Sequence, residues 1–255
     1  MSRYTYGDSA LAAQRLGLVA EMFEPTTRAF LTSVVTGPPG LAIDLGCGPG
    51  HTTRLLHEAT GARSTLGLDR SDAFVAEARR DEPPGVSFAV HDVTTVPFPS
   101  GPADLVFARL LLAHLADAEG IVGRWSTTLT IGGSLLVDDL EELDAPEPAF
   151  RRYLDEVAIA VVRAEGGDLF VGPRLHAMPD PDGCERVRDE VATFSPPASL
   201  TARVFGMNLA VLVARWETAP RPDLAAALDE LGSGRAGGRQ ATWRVRQVAW
   251  RRTSG

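Results

Sequence analysis

Three glycines in five positions, Gly46, Gly48 and Gly50, stand between a short apolar run at 41–45 and a helix-like stretch from about 50 to 60. Glycine there lets the backbone turn tightly and approach a ligand with no Cβ in the way. The start of the following helix favours negative charge in the same space. Acids surround the turn. Asp44 precedes it, Asp69 ends the next apolar run 19 residues beyond Gly50, and Asp92 follows the third run. Asp69 is placed to accept hydrogen bonds from both hydroxyls of a ribose, and a carboxylate at Asp92 can take the exocyclic amine of an adenine. The implied ligand is nucleotide-sized and sits at the C-terminal edge of a sheet. Two common nucleotide loops do not fit. The dinucleotide fingerprint needs its third glycine one residue later, where His51 stands, and a Walker loop needs a lysine, which the chain lacks.

Positioning these residues requires alternating elements. Apolar runs at 41–45, 64–69, 86–90, 104–108 and 134–137 read as strands. Helical text at about 50–60, 71–80 and up to 129 separates them, which predicts a parallel α/β sheet with helices on both faces. Ahead of the sheet, residues 9–35 carry apolar positions at three- and four-residue spacing, with Asp8 or Ser9 as cap and Pro25 as a break or kink. After the fifth strand, a proline-rich segment surrounds a single helical stretch at 150–164 and reads as an insertion capping the sheet. Strand text is expected again at 191–205, where Leu200, Ala202 and Val204 alternate. Residues 243–248 alternate with period two, which suits an antiparallel closing strand.

The chain has 255 residues and a net charge of −8, with every basic residue an arginine and only two cysteines, Cys47 and Cys184. A core of this length needs neither disulfide nor metal to fold. The negative balance and the lack of a basic run argue against a nucleic-acid partner. The start, MSRYTYGDSA, has no apolar leader, and no unbroken apolar stretch reaches about 18 residues, so a cytoplasmic protein without membrane contact is expected.

Together the glycine loop AIDLGCGPG, the acids in LGLDRS and AVHDV, the block DLVFARLLLAHL and the run GGSLLVDD resemble class I S-adenosylmethionine-dependent methyltransferases over roughly residues 40–140. The segments YTYGDSALAAQRL and RQVAWRR are similar to a bacterial small-molecule subgroup in which an N-terminal helix closes over the cofactor. The resemblance implies a Rossmann-like, mostly parallel seven-stranded sheet of order 3-2-1-4-5-7-6. It implies a single domain: a helical lid (1–36), a cofactor-binding core (37–143), a substrate-capping insertion (144–188) and C-terminal strands (189–255). S-adenosylmethionine would be the cofactor. Asp44, Gly46, Gly48 and Gly50 would hold its methionine and ribose side, and Asp69 the ribose, with Arg70 beside it. Asp92 and the Val93 amide would read the adenine, and Ala108 would offer a carbonyl to the methionine amine. Tyr6 and Arg15 would close from the lid, Arg15 being suited to the cofactor carboxylate or else a solvated helix face.

Methyl transfer from a sulfonium is an in-line displacement, for which an enzyme mainly aligns and dehydrates the partners. A hydroxyl acceptor also needs a base. His176, in the capping insertion, is the candidate. His114 sits in LLLAHL and is either a packing histidine or part of the substrate pocket with Arg109. Phe150, Tyr153, Phe170 and Met178 either line a pocket for a flat substrate or pack the core. Asp138 and Asp139 are adjacent on a strand and point to opposite faces, so no metal site is expected. Base methyltransferases would carry an Asn/Asp-Pro-Pro-aromatic motif after the fourth strand, and only Ser195-Pro196-Pro197 resembles it, too late and without the aromatic. Glu141-Glu142 do not match the paired glutamates of arginine methyltransferases. The leading expectation is methylation of O, N or C of a small organic molecule, such as a secondary metabolite. A cofactor-assisted rearrangement without methyl transfer is the alternative, and a binding module without catalysis is a third reading. The N-terminal helix and the insertion offer faces for a homodimer.

Overall fold

The computed structural model describes residues 7–164, 166–216, 221–235 and 237–254; Tyr6 lies outside the described residues. Seven strands form one sheet: β1 (Leu41–Leu45), β2 (Ser64–Asp69), β3 (Val86–Val90), β4 (Ala103–Arg109), β5 (Leu129–Asp144), β6 (Cys184–Phe194) and β7 (Thr242–Arg252). Their order is β3-β2-β1-β4-β5-β7-β6, as the sequence led us to expect. The first five pair in parallel, and β7 runs antiparallel between β5 and β6. The chain steps outward from β1 through β2 to β3 and then returns to place β4 on the other side of β1. The crevice at the C-terminal ends of β1 and β4 is therefore the place where an open α/β sheet accepts a ligand.

Strand alternation sorts the two faces. Leu105 and Phe107 of β4 pack with Ala42, Leu136 and Ala249 under α1 (Ala10–Val34) and α2 (His51–Thr60). Val106 and Ala108 point the other way, into a cluster with Ile43, Leu45, Val137 and Trp125 of α4 (Ala118–Ser126). The short α3 (Asp72–Ala78) is capped by Ser71, whose Oγ also donates to Asp8 and so fastens the segment ahead of α1 to the β2 crossover.

The structure corrects several expectations. Pro25 does not break α1, which runs through it unbroken, capped by Ser9. Pro25 and Glu21 are exposed, so the carbonyl that loses its partner meets water, while Met22, Phe23, Thr27, Phe30 and Leu31 bury the same helix on both sides of the proline. The text after β4 gives a single 3₁₀ turn (Leu112–His114) before α4. The expected strand at 134–137 is the middle of a sixteen-residue β5, lengthened by pairing with β7 as far as Asp144.

The largest correction concerns residues 191–205. The strand ends at Phe194, before Pro196 and Pro197, and Leu200, Ala202 and Val204 belong to a long helix, α8 (Ala198–Trp216). The buried set Thr201, Val204, Phe205, Asn208 and Leu212 follows helical spacing, and it outweighs the short local alternation. With α9 (Pro222–Gly232), α8 interrupts the C-terminal part, which is not made of strands alone. The segment between β5 and β6 holds α5 (Pro148–Tyr153), a π-helical turn (Leu154–Ala158), α6 (Ile159–Ala164) and α7 (Gly172–Ala177), and it ends where β6 begins at Cys184 rather than at 188. No helix among the described residues is long and apolar enough to cross a membrane.

Candidate active site

The turn after β1 is built as the glycine spacing predicts. Gly46 (φ 70°) and Gly50 (φ 86°) occupy the left-handed region, and Gly46 N–H donates to the Leu68 carbonyl at 2.8 Å. A Cβ on Gly46 would stand 2.9 Å from Leu111 Cδ1, the movable end of a side chain, so the left-handed backbone is what calls for glycine here. On that loop Leu110 has φ 52°, a strained value for a bulky side chain, at the point where the crevice opens.

Above this turn lies a cavity of about 1350 Å³. Single ligands of drug size occupy roughly 300–1,000 Å³, so the space suits two molecules side by side. One end is polar. Gly46, Gly48, Asp69, Arg70, Asp92 and Val93 line it, with Arg15, Arg109 and His114 from α1, β4 and the 3₁₀ turn. Asp69 accepts from Gly48 N (2.9 Å) through Oδ2 and from Ser71 N (2.9 Å) through Oδ1. Burial raises its carboxyl, and these backbone donors with Arg70 oppose the rise. Each carboxylate oxygen has a second lone pair, so a vicinal diol can be bound without breaking either bond. At Asp92, burial pulls the carboxyl up, but Thr94 donates to Oδ1 from both its amide (3.0 Å) and its hydroxyl (2.7 Å), and with Arg70 nearby the net shift is downward. The Val93 carbonyl is taken by Trp125 Nε1 at 2.7 Å. A backbone stripped of Cβ atoms and two carboxylates at the ends of neighbouring strands fit an adenosyl group.

Some expected ligand residues do not reach the wall. Asp44 is buried and accepts from Thr53 Oγ1 at 2.7 Å; burial drives its carboxyl up to about 7, and it ties β1 to α2 beneath the loop. Gly50 and Ala108 likewise do not line the cavity. Arg109 lines the polar end rather than a substrate chamber. It donates to Thr52 Oγ1 (2.9 Å) and Thr27 Oγ1 (3.3 Å), and Thr27 in turn donates to Asp138 Oδ2 (3.0 Å), so this one guanidinium binds α1, α2 and sheet together. Asp138 and Asp139 point to opposite sides, as expected of strand neighbours. Asp139 faces the cavity, where Oδ2 accepts from Leu112 N (2.9 Å) and Oδ1 from Leu140 N (3.0 Å). Burial raises its carboxyl to about 7 against these donors. His114 is driven down to about 3 by burial, with Arg15 and Arg70 adding to the effect, so it is neutral at any ordinary pH.

His176 is not at the site. Its ring Nδ1 lies 2.8 Å from Asp189 Oδ2 on the outer face of β6, within an ion network of Arg186, Arg246 and Glu141, and it lines no part of the cavity. Phe150, Phe170 and Met178 are also absent from the wall: Phe150 packs edge-on against Phe205 at 5.4 Å, Phe170 borders the same core, and Met178 is buried in the cluster around Trp125. Of the five site residues expected from the capping insertion only Tyr153 lines the cavity, stacked on Phe205 at 4.3 Å.

The opposite end of the cavity is apolar, and sequence reasoning largely missed it. Phe23 of α1, Leu154 and Ala158 of the π turn, Val204 and Phe205 of α8, and Trp243 of β7 enclose it. The Phe23 and Trp243 rings meet edge-on at 5.5 Å, and Phe205 tilts against Trp243 at 5.9 Å. Two buried polar atoms there, Asn208 Oδ1 and Trp243 Nε1, make no hydrogen bond. Each such atom costs ~1–3 kcal/mol. The spacing of Val204, Phe205, Asn208 and Leu212 was the available signal for this wall, hidden by the strand-like alternation of 200–204.

Residues 42–133 match the family model of the methyltransferase domain. The trans-aconitate 2-methyltransferase of Methylobacterium nodulans is 37% identical over 141 residues, which span 55% of this chain and 54% of that protein, so the likeness covers about half of each. A crystal structure of a putative methyltransferase from Bacillus halodurans has the same fold (TM-score 0.59, 14% identity, covering 90% of this chain and 100% of that one), as does the cyclase SpnF (TM-score 0.53, 18% identity, 91% and 82%). With the strand order and the glycine crossover, these matches show that residues 42–133 are similar to a methyltransferase domain and that the chain has the fold of the class I methyltransferases.

Proposed function

We propose that this protein transfers a methyl group from S-adenosylmethionine to a small organic acceptor, of the kind met in secondary metabolism. One observation carries the reading: a single cavity joins the adenosyl-fitting turn to an apolar wall of Phe23, Leu154, Phe205 and Trp243, with the crevice between β1 and β4 at its floor. Asp69 and Asp92 would hold the ribose and adenine, the Gly46–Gly48 backbone would lie against the methionine portion, and Arg15 would meet its carboxylate. The donor, when bound, supplies an activated methyl group whose leaving group is a neutral thioether.

What remains for the chain is orientation and exclusion of water. The lid helix α1 does both, because Arg109 and Thr27 fix it to the sheet while Leu16 and Phe23 cover the two ends of the cavity. His114, held neutral, adds no charge beside the reaction and is a poor proton acceptor. Asp139 accepts one backbone donor on each oxygen and so positions the 3₁₀ turn; with its carboxyl raised to about 7 and a second lone pair on each oxygen, it is the cavity-lining group suited to take a proton.

The test is calorimetry of the full chain with S-adenosylmethionine and S-adenosylhomocysteine, followed by incubation with methyl-labelled donor and candidate acceptors. Heat of binding together with labelled product and S-adenosylhomocysteine is the expected result. Product formed without S-adenosylhomocysteine would mark a rearrangement on the same cofactor, and no heat from either compound would remove the assignment.

A further inference from the structure

We infer that the acceptor is a flat, uncharged, largely apolar molecule carrying a hydrogen-bonding substituent for Asn208, and not a polycarboxylate such as the trans-aconitate of the relatives' name. The inference rests on the methyltransferase reading for the role of the cavity and goes beyond it in naming the acceptor's chemistry.

The distribution of charge along the cavity wall carries the argument. Every cationic side chain that lines it, Arg15, Arg70 and Arg109, stands at the cofactor end, and His51 and His114 stand there too, with His114 neutral. Arg109 is already engaged with Thr27 and Thr52 and faces the buried Asp138 and Asp44. The acceptor end has no cation among the described residues. A tricarboxylate placed there would lose its hydration and gain no charged partner, and recognition of such a group requires arginine or a comparable donor set. Asp139, which lines the cavity as well, offers such a group no positive charge either.

Shape points the same way. The stacked pair Tyr153–Phe205 and the edge-on pair Phe23–Trp243 are brought together from four separate elements: α5, α8, α1 and β7. Such walls accept a planar ring by offset or edge contact. At this wall Asn208 Oδ1 and Trp243 Nε1 are buried polar atoms with no hydrogen-bond partner among the described residues. Buried polar atoms are nearly always satisfied, and an exception beside a ligand cavity calls for a partner from the ligand. Asn208 sits one helical turn beyond Phe205 on α8, so its amide can meet a hydroxyl or N–H on a ring resting against Phe205; Trp243 N–H can meet an oxygen.

The experiment uses the full chain saturated with S-adenosylhomocysteine and three probes: 1-naphthol, naphthalene and trans-aconitate, with binding read from quenching of tryptophan fluorescence and confirmed by calorimetry. We expect 1-naphthol to bind at least tenfold more tightly than trans-aconitate. It should also bind several-fold more tightly than naphthalene, and Asn208→Leu should abolish that second difference. Tyr153→Leu should weaken both aromatic probes, which keeps the test decisive if the Asn208 variant does not fold. Tighter binding of trans-aconitate, or an undiminished preference for naphthol in folded Asn208→Leu, would overturn the inference. Failure of S-adenosylhomocysteine to bind would overturn the cofactor assignment alone, and the naphthol-against-aconitate comparison on the free protein would still decide the acceptor class.

Discussion

The two ends of the cavity are made by different means. The cofactor end is assembled from consecutive strand-to-helix crossovers: the glycine turn after β1, Asp69 at the end of β2, Asp92 just past β3. Its polar atoms are held by local bonds, Asp69 to the Gly48 and Ser71 amides and Asp92 to Thr94. The acceptor end draws Phe23, Tyr153, Phe205 and Trp243 from elements spread over more than two hundred residues, and packing rather than hydrogen bonding holds it. The first kind of wall demands particular residues at particular spacings. The second demands only apolar volume, and so it can change its occupant while the fold stays the same.

If this contrast is right, substitutions at the two ends should separate cofactor affinity from acceptor affinity. The largest effect is expected at Asp69→Ala. Removing a carboxylate that serves two ribose hydroxyls costs ~3 kcal/mol or more, so S-adenosylhomocysteine affinity should fall by about a hundredfold in calorimetry. An unchanged affinity would mean that the polar end is misread. Next is Gly46→Ala, which combines a left-handed backbone (φ 70°), worth ~1–2 kcal/mol, with a Cβ 2.9 Å from Leu111. Denaturant unfolding should show at least that loss, with cofactor binding weakened as the loop shifts.

A smaller, pH-dependent effect belongs to His114. Its folded pKa, about 3, lies below the ordinary 6.5, so the unfolded chain binds the proton first. Stability from this group is present above about pH 6.5 and drains away as pH falls towards 3. In His114→Gln the melting temperature should fall less steeply with acidification across that window, by a few degrees. Asp189 behaves conventionally: burial opposes ionisation, but Arg246, His176 and Arg186 outweigh it and lower the carboxyl to about 2, so its contribution is lost only below about pH 4. The smallest effect is expected of His176→Ala. That residue lies on the outer face of β6, and turnover with any acceptor should stay within twofold of the parent; a large loss would restore it as a base.

Legibility followed the same divide. Strands β1 to β3 were readable almost to the residue because each is a short apolar run closed by a glycine, an acid or a proline. The carboxylates at their ends were readable because a crossover of fixed length leaves them nowhere else to go. The capping residues failed for the opposite reason. Phe150 and Tyr153 are three apart on one helix, yet Phe150 faces the core beside Phe205 and Tyr153 faces the cavity, a difference decided by where α8 lies. Nor did local text show α8 itself, since Leu200, Ala202 and Val204 mimic a strand until the burial of Thr201, Phe205 and Asn208 is known.

The order of types along the chain was thus sufficient to determine the sheet, its crossovers and the acidic, glycine-lined end of the cavity, because these depend on contacts and conformations within a few residues of each other. The tertiary structure alone decided that α1 stays whole through Pro25, that His176 turns outward to Asp189, and that four aromatic rings from distant elements line one cavity. Those outcomes follow from which surfaces meet after folding, and burying apolar area is favourable wherever it occurs, so no spacing in the chain encodes them.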